Sequence, residues 1–284
     1  MKVLVTGCTG YVGSMLLGYF IERDETFGTS IDCTPGSGYF KCDLCDLEEV
    51  RALGDKIHPD VVIHAAGIKD IGFCEENRES ASNANMLTTT NIARIFGGKS
   101  FIIYVSTDYV FSGSSGQYRE YDKPDPVTQY GRSKFAGENE GALIAPDNFT
   151  IVRTAALYDE KAAFLTFLRD RLSKDEPAEC FIDVVYSPTY YADFLVMIGK
   201  MAVTCDGGKI CHICGPEISR YDFAKLFARA FGFDERLVRP AHAAGRQYFL
   251  FPNLSLNGQL TAKRLGIAVR SHEQALAEMA GRRR

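Results

Sequence analysis

Short apolar runs alternate with longer amphipathic stretches through the first half of the chain. Residues 2–6, 26–31, 61–64, 101–105 and 149–153 are brief and rich in β-branched side chains, which predicts strands. Residues 11–23, 47–56, 81–96 and 129–144 carry helical spacing or propensity between them. Strands alternating with helices predict a parallel sheet covered on both faces, and right-handed crossovers make it doubly wound. After about residue 158 the rhythm changes. Helices are predicted over 161–173, 190–203, 219–231 and 271–281, strands near 180–182 and 209–213, and 240–257 reads as loop-rich. The expectation is an α/β fold: residues 1–157 form the sheet domain, and 158–284 form a smaller C-terminal substrate-binding lobe interleaved with further sheet elements.

Gly7-Cys8-Thr9-Gly10-Tyr11-Val12-Gly13 joins the first strand to the first helix in a GxxGxxG pattern. Glycines let the backbone turn tightly and approach a pyrophosphate, whose charge then sits at the helix N-terminus. Three glycines can also make a plain turn, but the strand before and the amphipathic helix after are the context of a Rossmann dinucleotide site. Asp32, at the end of the second strand, can accept hydrogen bonds from adenosine ribose hydroxyls and would repel a 2′-phosphate. With no Lys or Arg just after it, NAD(H) is favoured and NADP(H) is the second choice. The plainer alternative is an Asp that starts the turn at Thr34-Pro35-Gly36.

Tyr130 and Lys134 lie four apart on a predicted helix and so share one face. A lysine ammonium there can sit beside both the phenol and a cofactor ribose, and is expected to lower the phenol pKa from about 10. Tyr130 could then exchange a proton with a substrate oxygen while hydride moves to or from a nicotinamide. Ser106 and Thr107 end the fourth apolar run, and one of these hydroxyls could bond the same oxygen. The pair YxxxK is common by chance; the order of glycine turn, strand-end hydroxyl and YxxxK is far less so.

Composition narrows the partners. The net charge of −4 without an internal basic stripe argues against nucleic acid. No apolar run reaches about 18 residues, so no membrane span is expected, and no signal peptide opens the chain. A cytoplasmic protein is implied. Arg282, Arg283 and Arg284 read as a solvated end. Nine cysteines include the pairs Cys42/Cys45 and Cys211/Cys214. The second pair falls on a predicted strand, where residues i and i+3 face opposite ways, so no metal site is expected and buried reduced thiols are the reading.

Further segments sharpen this picture. Ser106-Thr107-Asp108-Tyr109-Val110-Phe111-Ser112-Gly113, Tyr130-Gly131-Arg132-Ser133-Lys134-Phe135-Ala136-Gly137-Glu138, Tyr186-Ser187-Pro188-Thr189-Tyr190 and Cys214-Gly215-Pro216-Glu217 followed by Ser219-Arg220-Tyr221-Asp222-Phe223-Ala224 occur in this order. With them the chain resembles, over nearly its whole length, the extended short-chain dehydrogenase/reductases of the dTDP-4-dehydrorhamnose reductase-like family. That resemblance implies a Thr107/Tyr130/Lys134 triad, with Asn85 as the asparagine that supports the lysine. It implies a cofactor site of Gly7, Thr9, Gly10, Tyr11, Val12, Gly13, Asp32, Asp43, Leu44, Ala65, Ala66, Gly67, Tyr130 and Lys134. Thr107, Asp108, Tyr109 and Ala156 are the implied substrate contacts. The implied reaction is NAD(P)H-dependent reduction of the C4 ketone of a nucleotide-linked 6-deoxysugar.

Three departures from the family pattern bear on the substrate. Ala156 stands where an aromatic residue is usual, Leu250-Phe251-Pro252 replaces an Arg-Pro pair, and Met15 replaces an acidic residue used for metal-linked dimerisation. Loss of an aromatic platform and a guanidinium changes how a sugar nucleotide is held. A homodimer stays open as an assembly, but a Mg²⁺-bridged one is not supported. Two other functions share the fold: a nucleotide-sugar epimerase or dehydratase with bound NAD, and a non-catalytic regulatory subunit resembling the β subunit of methionine adenosyltransferase.

Overall fold

The computed structural model describes residues 1–243 and 250–282. Its first compact unit comprises residues 1–110, 124–153 and 195–211. Here β1 (Lys2–Thr6), β2 (Glu25–Ser30), β3 (Tyr39–Lys41), β4 (Val61–His64), β5 (Phe101–Thr107) and β6 (Phe149–Thr154) alternate with α1 (Tyr11–Ile21), α2 (Leu47–Ile57), α3 (Ile71–Glu76), α4 (Arg78–Ser82), α5 (Thr88–Phe96) and α6 (Gln129–Ile144). β4, β5 and β6 are buried along their whole length, as strands covered on both faces must be.

The second unit comprises residues 111–123, 154–194 and 212–284, described to residue 282. It contains β7 (Leu157–Tyr158), α7 (Ala163–Leu172), β8 (Ala178–Phe181), β9 (Val185–Tyr186) and β10 (Thr189–Tyr190). α8 (Tyr191–Thr204) and β11 (Ile210–Ile213) lead through the first unit. β12 (Ile218–Ser219), α9 (Arg220–Phe231), β13 (Val238–Ala241), α10 (Gln259–Leu265) and α11 (His272–Gly281) follow. The short strands pair β7 with β10, β9 with β12 and β8 with β13. Leu165, Leu168, Phe223, Phe227, Leu276 and Met279 make this unit's core around Tyr158.

The main sheet runs β11-β6-β5-β4-β1-β2-β3. β1 pairs in parallel with β2 and β4, β2 with β3, and β4 with β5. This is the doubly wound α/β Rossmann sheet that the alternation predicts. The order steps outward from β1 on both sides, so the C-terminal ends of β1 and β4 lie at the switch point where such sheets bind ligands.

Several elements differ from expectation. The helix predicted over 81–96 is broken by a π-helical turn, Asn83–Leu87, between α4 and α5. The hydroxyls of Thr88, Thr89 and Thr90 each donate to the carbonyl four residues back, at 2.8, 2.8 and 3.0 Å, and compete with the regular helical ladder. β5 runs on to Thr107, two residues beyond the apolar run, so Ser106 and Thr107 are strand residues. β3, α3 and α10 are too short to give a periodic signal. Part of the predicted loop 240–257 lies outside the described residues; at its start, β13 pairs with β8. Arg282, read as solvated, donates to Tyr191 and Glu278, while Arg283 and Arg284 lie outside the described residues.

Candidate active site

The glycine turn is built as tightly as its sequence permits. Gly7 has φ +66°, and a Cβ there would lie 2.7 Å from the Ala66 main chain. The Ala66 N–H donates to Thr6 Oγ1 at 3.3 Å, so the ends of β1 and β4 meet at this turn. A Cβ on Gly13 would come within 2.0 Å of the Gly7 carbonyl oxygen. No side chain caps α1, whose N-cap is Gly10. The amides of its first turn therefore face a cradle that only glycine leaves open, which fits a dinucleotide pyrophosphate. Tyr11 and Val12 are half-buried at the start of α1, and the Lys69 ammonium stands 5.2 Å over the Tyr11 ring.

Asp32 is exposed just past β2 and accepts at Oδ1 from Thr9 Oγ1 at 2.8 Å and from the Ser30 hydroxyl. These bonds, Ser30 first, lower its pKa and keep it ionised. The Thr9 side chain thus ties the glycine turn to the end of β2. Beyond β3, Asp43 Oδ1 accepts from the Cys45 N–H at 2.9 Å, and buried Leu44 offers its carbonyl to Asn91 Nδ2 at 2.9 Å. Ala65 is half-buried; Gly67 is exposed and packs on Asn85, whose Oδ1 would lie 2.4 Å from a Gly67 Cβ.

Thr107, Asn85, Tyr130 and Lys134 all fall in the first unit. Thr128 caps α6 through the Gly131 N–H at 3.0 Å, and Glu75 accepts from the Gln129 N–H at 2.7 Å. That fixes the helix start and so the Tyr130 ring, which meets the Tyr109 ring edge-on at 5.7 Å. The phenol lies beside Thr107, which works to lower its pKa, and the Thr107 hydroxyl donates to Asp108 Oδ1 at 3.0 Å. Asp108, expected to touch substrate, is buried and turned to Thr107. Ala156, in the second unit, is exposed after β6 and accepts from the Thr189 N–H at 2.9 Å.

Lys134 is buried, with Nζ 2.7 Å from the Val105 carbonyl and 4.1 Å over the Tyr104 ring. Burial pushes its pKa down to about 7, while Glu138 opposes the fall. The phenol does not titrate as the YxxxK spacing suggested. Burial raises the Tyr130 pKa, Thr107 opposes this, and the lysine cation is spent on Val105 and Tyr104. Tyr130 is therefore a protonated acid at neutral pH. Asn85 is fully buried in the π-turn, where its side chain accepts from the Ile68 N–H at 2.9 Å and donates to the Ile68 carbonyl at 3.0 Å and to Ser133 Oγ at 2.9 Å. Asn85 thus holds Ser133, the residue that precedes Lys134 in the chain.

Residues not singled out as site candidates also belong here. His64 is fully buried, bonded to Thr6 Oγ1 at 2.7 Å and Thr89 Oγ1 at 3.1 Å, and burial pushes its pKa down to about 3. Glu138 pairs with Arg153 at 2.7 Å, both side chains being almost wholly buried. A signal for this pair was present: Glu138 follows Lys134 by one helical turn, and Arg153 interrupts an apolar strand. All nine cysteines are free thiols, and among the described residues no three His, Cys, Asp or Glu side chains gather as for a metal ion. No described helix is long and apolar enough to cross a membrane.

Comparison with known proteins follows the same lines. A methionine adenosyltransferase 2 subunit beta from Danio rerio is 33% identical over 208 residues, 71% of this chain but 63% of that protein, so the chain matches less than two thirds of that relative's length. A dTDP-4-dehydrorhamnose reductase from Mycolicibacterium smegmatis is 30% identical over 248 residues, covering 84% of this chain and 72% of that one. Among solved structures, a dTDP-4-dehydrorhamnose reductase from Bacillus anthracis in complex with NADP superposes with a TM-score of 0.86 at 25% identity, over 98% of this chain and 96% of that one. The family described as RmlD substrate binding domain matches residues 1–284. With the glycine cradle, the Thr107–Tyr130 contact and buried Lys134 on one Rossmann sheet, the chain belongs to that RmlD family of extended short-chain dehydrogenase/reductases.

Proposed function

We propose that this protein is an NAD(P)H-dependent reductase of the C4 ketone of a nucleotide-activated 6-deoxysugar. The observation that carries the reading is the Tyr130 phenol beside the Thr107 hydroxyl, with buried Lys134 one helical turn further along α6. The amides of residues 10–13 would hold the cofactor pyrophosphate, Asp32 the adenosine ribose, and Asp43 and Leu44 the adenine edge. Ala65, Ala66 and Gly67 would run along the cofactor, and Lys134 would reach the nicotinamide ribose. When bound, the nicotinamide supplies the hydride. Tyr130 delivers the proton to the substrate oxygen, and its raised pKa keeps that proton available at neutral pH. Thr107 bonds the same oxygen and orients it, while Tyr109 lines the sugar. Ionised Asp32 leads us to favour NAD(H) over NADP(H).

The test is a turnover screen of 4-keto-6-deoxy nucleotide sugars with NADH and NADPH, read by loss of reduced-cofactor absorbance. Net consumption with one of them is the expected result. Turnover without net consumption would replace the reading by epimerase or dehydratase chemistry. A second reading, a regulatory subunit, is favoured by the adenosyltransferase β-subunit relatives at 33–36% identity. Absence of turnover on every sugar, together with co-purification with a synthetase, would select it.

A further inference from the structure

Three consecutive residues of β5 each engage one residue on a single face of α6. Thr107 lies beside the Tyr130 phenol, the Val105 carbonyl accepts from Lys134 Nζ at 2.7 Å, and Ser106 Oγ donates to Glu138 Oε1 at 2.6 Å. Tyr130, Lys134 and Glu138 stand at i, i+4 and i+8, so one helical face carries all three. Behind Glu138, Arg153 on β6 donates through Nε at 3.0 and 3.2 Å and through Nη2 at 2.7 Å. We infer that Ser106, Glu138 and Arg153 form a buried charge clamp that positions the Lys134 ammonium and keeps it charged; none of the three touches the reacting atoms.

The Glu138 and Arg153 side chains are 2% and 1% exposed. Removing two such charges from water is expensive, and an apolar pair of similar volume would tie α6 to the sheet as well or better. An apolar pair would not supply a negative potential beside Lys134. The groups facing that ammonium are Glu138 from α6, the Val105 carbonyl and Tyr104 ring from β5 and His64 from β4, with Arg153 of β6 one layer behind. Burial holds His64 neutral. Glu138 is the anion of this set, and it favours the charged lysine. Ser106 and Arg153 hold its carboxylate in place. They act through Glu138, as Glu138 acts through Lys134.

The inference rests on the reductase reading only for its kinetic arm, so the first measurement uses ligand-free protein. The side-chain NMR signal of Lys134, assigned by its loss in Lys134→Arg, is titrated in wild type, Glu138→Gln and Glu138→Gln/Arg153→Met. The double variant is included because the single one leaves a buried guanidinium without its carboxylate, which can prevent folding. The midpoint is expected to fall by about 1 to 2 pH units in each folded variant. The pH above which kcat/KM declines should fall with it. An unmoved midpoint in a folded variant would make the cluster a purely structural tie and overturn the proposal. A shifted midpoint in a protein without turnover on any sugar would keep the clamp and discard the reductase reading.

Discussion

Gly131 lies so close to Tyr109 that a Cβ on it would come within 2.1 Å of the Tyr109 carbonyl oxygen. This contact seats the first turn of α6 on the 3₁₀ turn Asp108–Val110 that follows β5. The backbone that carries Tyr130 is therefore fixed against the backbone that carries Thr107. The Tyr130 phenol and the Thr107 hydroxyl are thus set by packing, and groups held in this way need less reorganisation in a reaction.

Tyr130→Phe keeps the ring and its edge-on contact with Tyr109 but removes the proton. Turnover should fall by roughly 10²- to 10⁴-fold, the usual contribution of a positioned general acid. Dinucleotide affinity, followed by quenching of tyrosine fluorescence, should stay at the wild-type value. A variant that still turns over normally would take the acid role away from Tyr130.

His64 couples stability to pH. Its folded pKa is depressed from 6.5 to about 3, so between those values the unfolded chain binds a proton that the folded chain does not. Stability then rises with pH through this window, and acidification below 6.5 should progressively remove it. The slope from one such group is at most about 1.4 kcal/mol per pH unit. Urea unfolding between pH 5 and 7 tests this. His64→Gln should flatten the dependence, and an equal slope in the variant would assign it to other groups.

The alternation of β-branched runs with amphipathic segments was enough to read the Rossmann sheet, because strands buried on both faces keep an unbroken apolar run. The tight glycine turn was legible too, since Gly7 and Gly13 occupy positions where any side chain would meet backbone. The π-turn at Asn83–Leu87 was not, because hydroxyl bonds from Thr88–Thr90 override a helical pattern that continues through it. The ionisation of Tyr130 and Lys134 was also out of reach. Spacing puts them on one face, but burial sets their pKa values, and burial depends on β4 and β5 packing from far along the chain.

Asp32 offers a test of cofactor choice. Ser30 and Thr9 hold its carboxylate ionised, so it can accept from ribose hydroxyls and repel a phosphate on the same ribose. Asp32→Ala should weaken NADH binding by about 10-fold or more, the scale of a lost bond to a charged group. NADPH binding should change less or improve. Titration of both cofactors into wild type and variant checks this, and an unchanged preference would remove Asp32 from the ribose site.

Two glycines of α1 make an internal contrast. Gly13 faces the turn, where an added Cβ would sit 2.0 Å from the Gly7 carbonyl oxygen and 2.6 Å from its carbon. Neither atom can yield without opening the cradle, so Gly13→Ala should abolish detectable dinucleotide binding and lower the melting temperature. Gly18 lies on the exposed side of the same helix, with nothing within 4 Å of the corresponding position. There alanine loses less backbone freedom on folding, and Gly18→Ala should stabilise the protein by roughly 0.5 to 1 kcal/mol with cofactor affinity intact. Thermal unfolding and cofactor titration of the pair separate the two effects. If Gly13→Ala bound dinucleotide like Gly18→Ala, the turn would be a plain strand-to-helix connection, and the pyrophosphate would have to sit elsewhere.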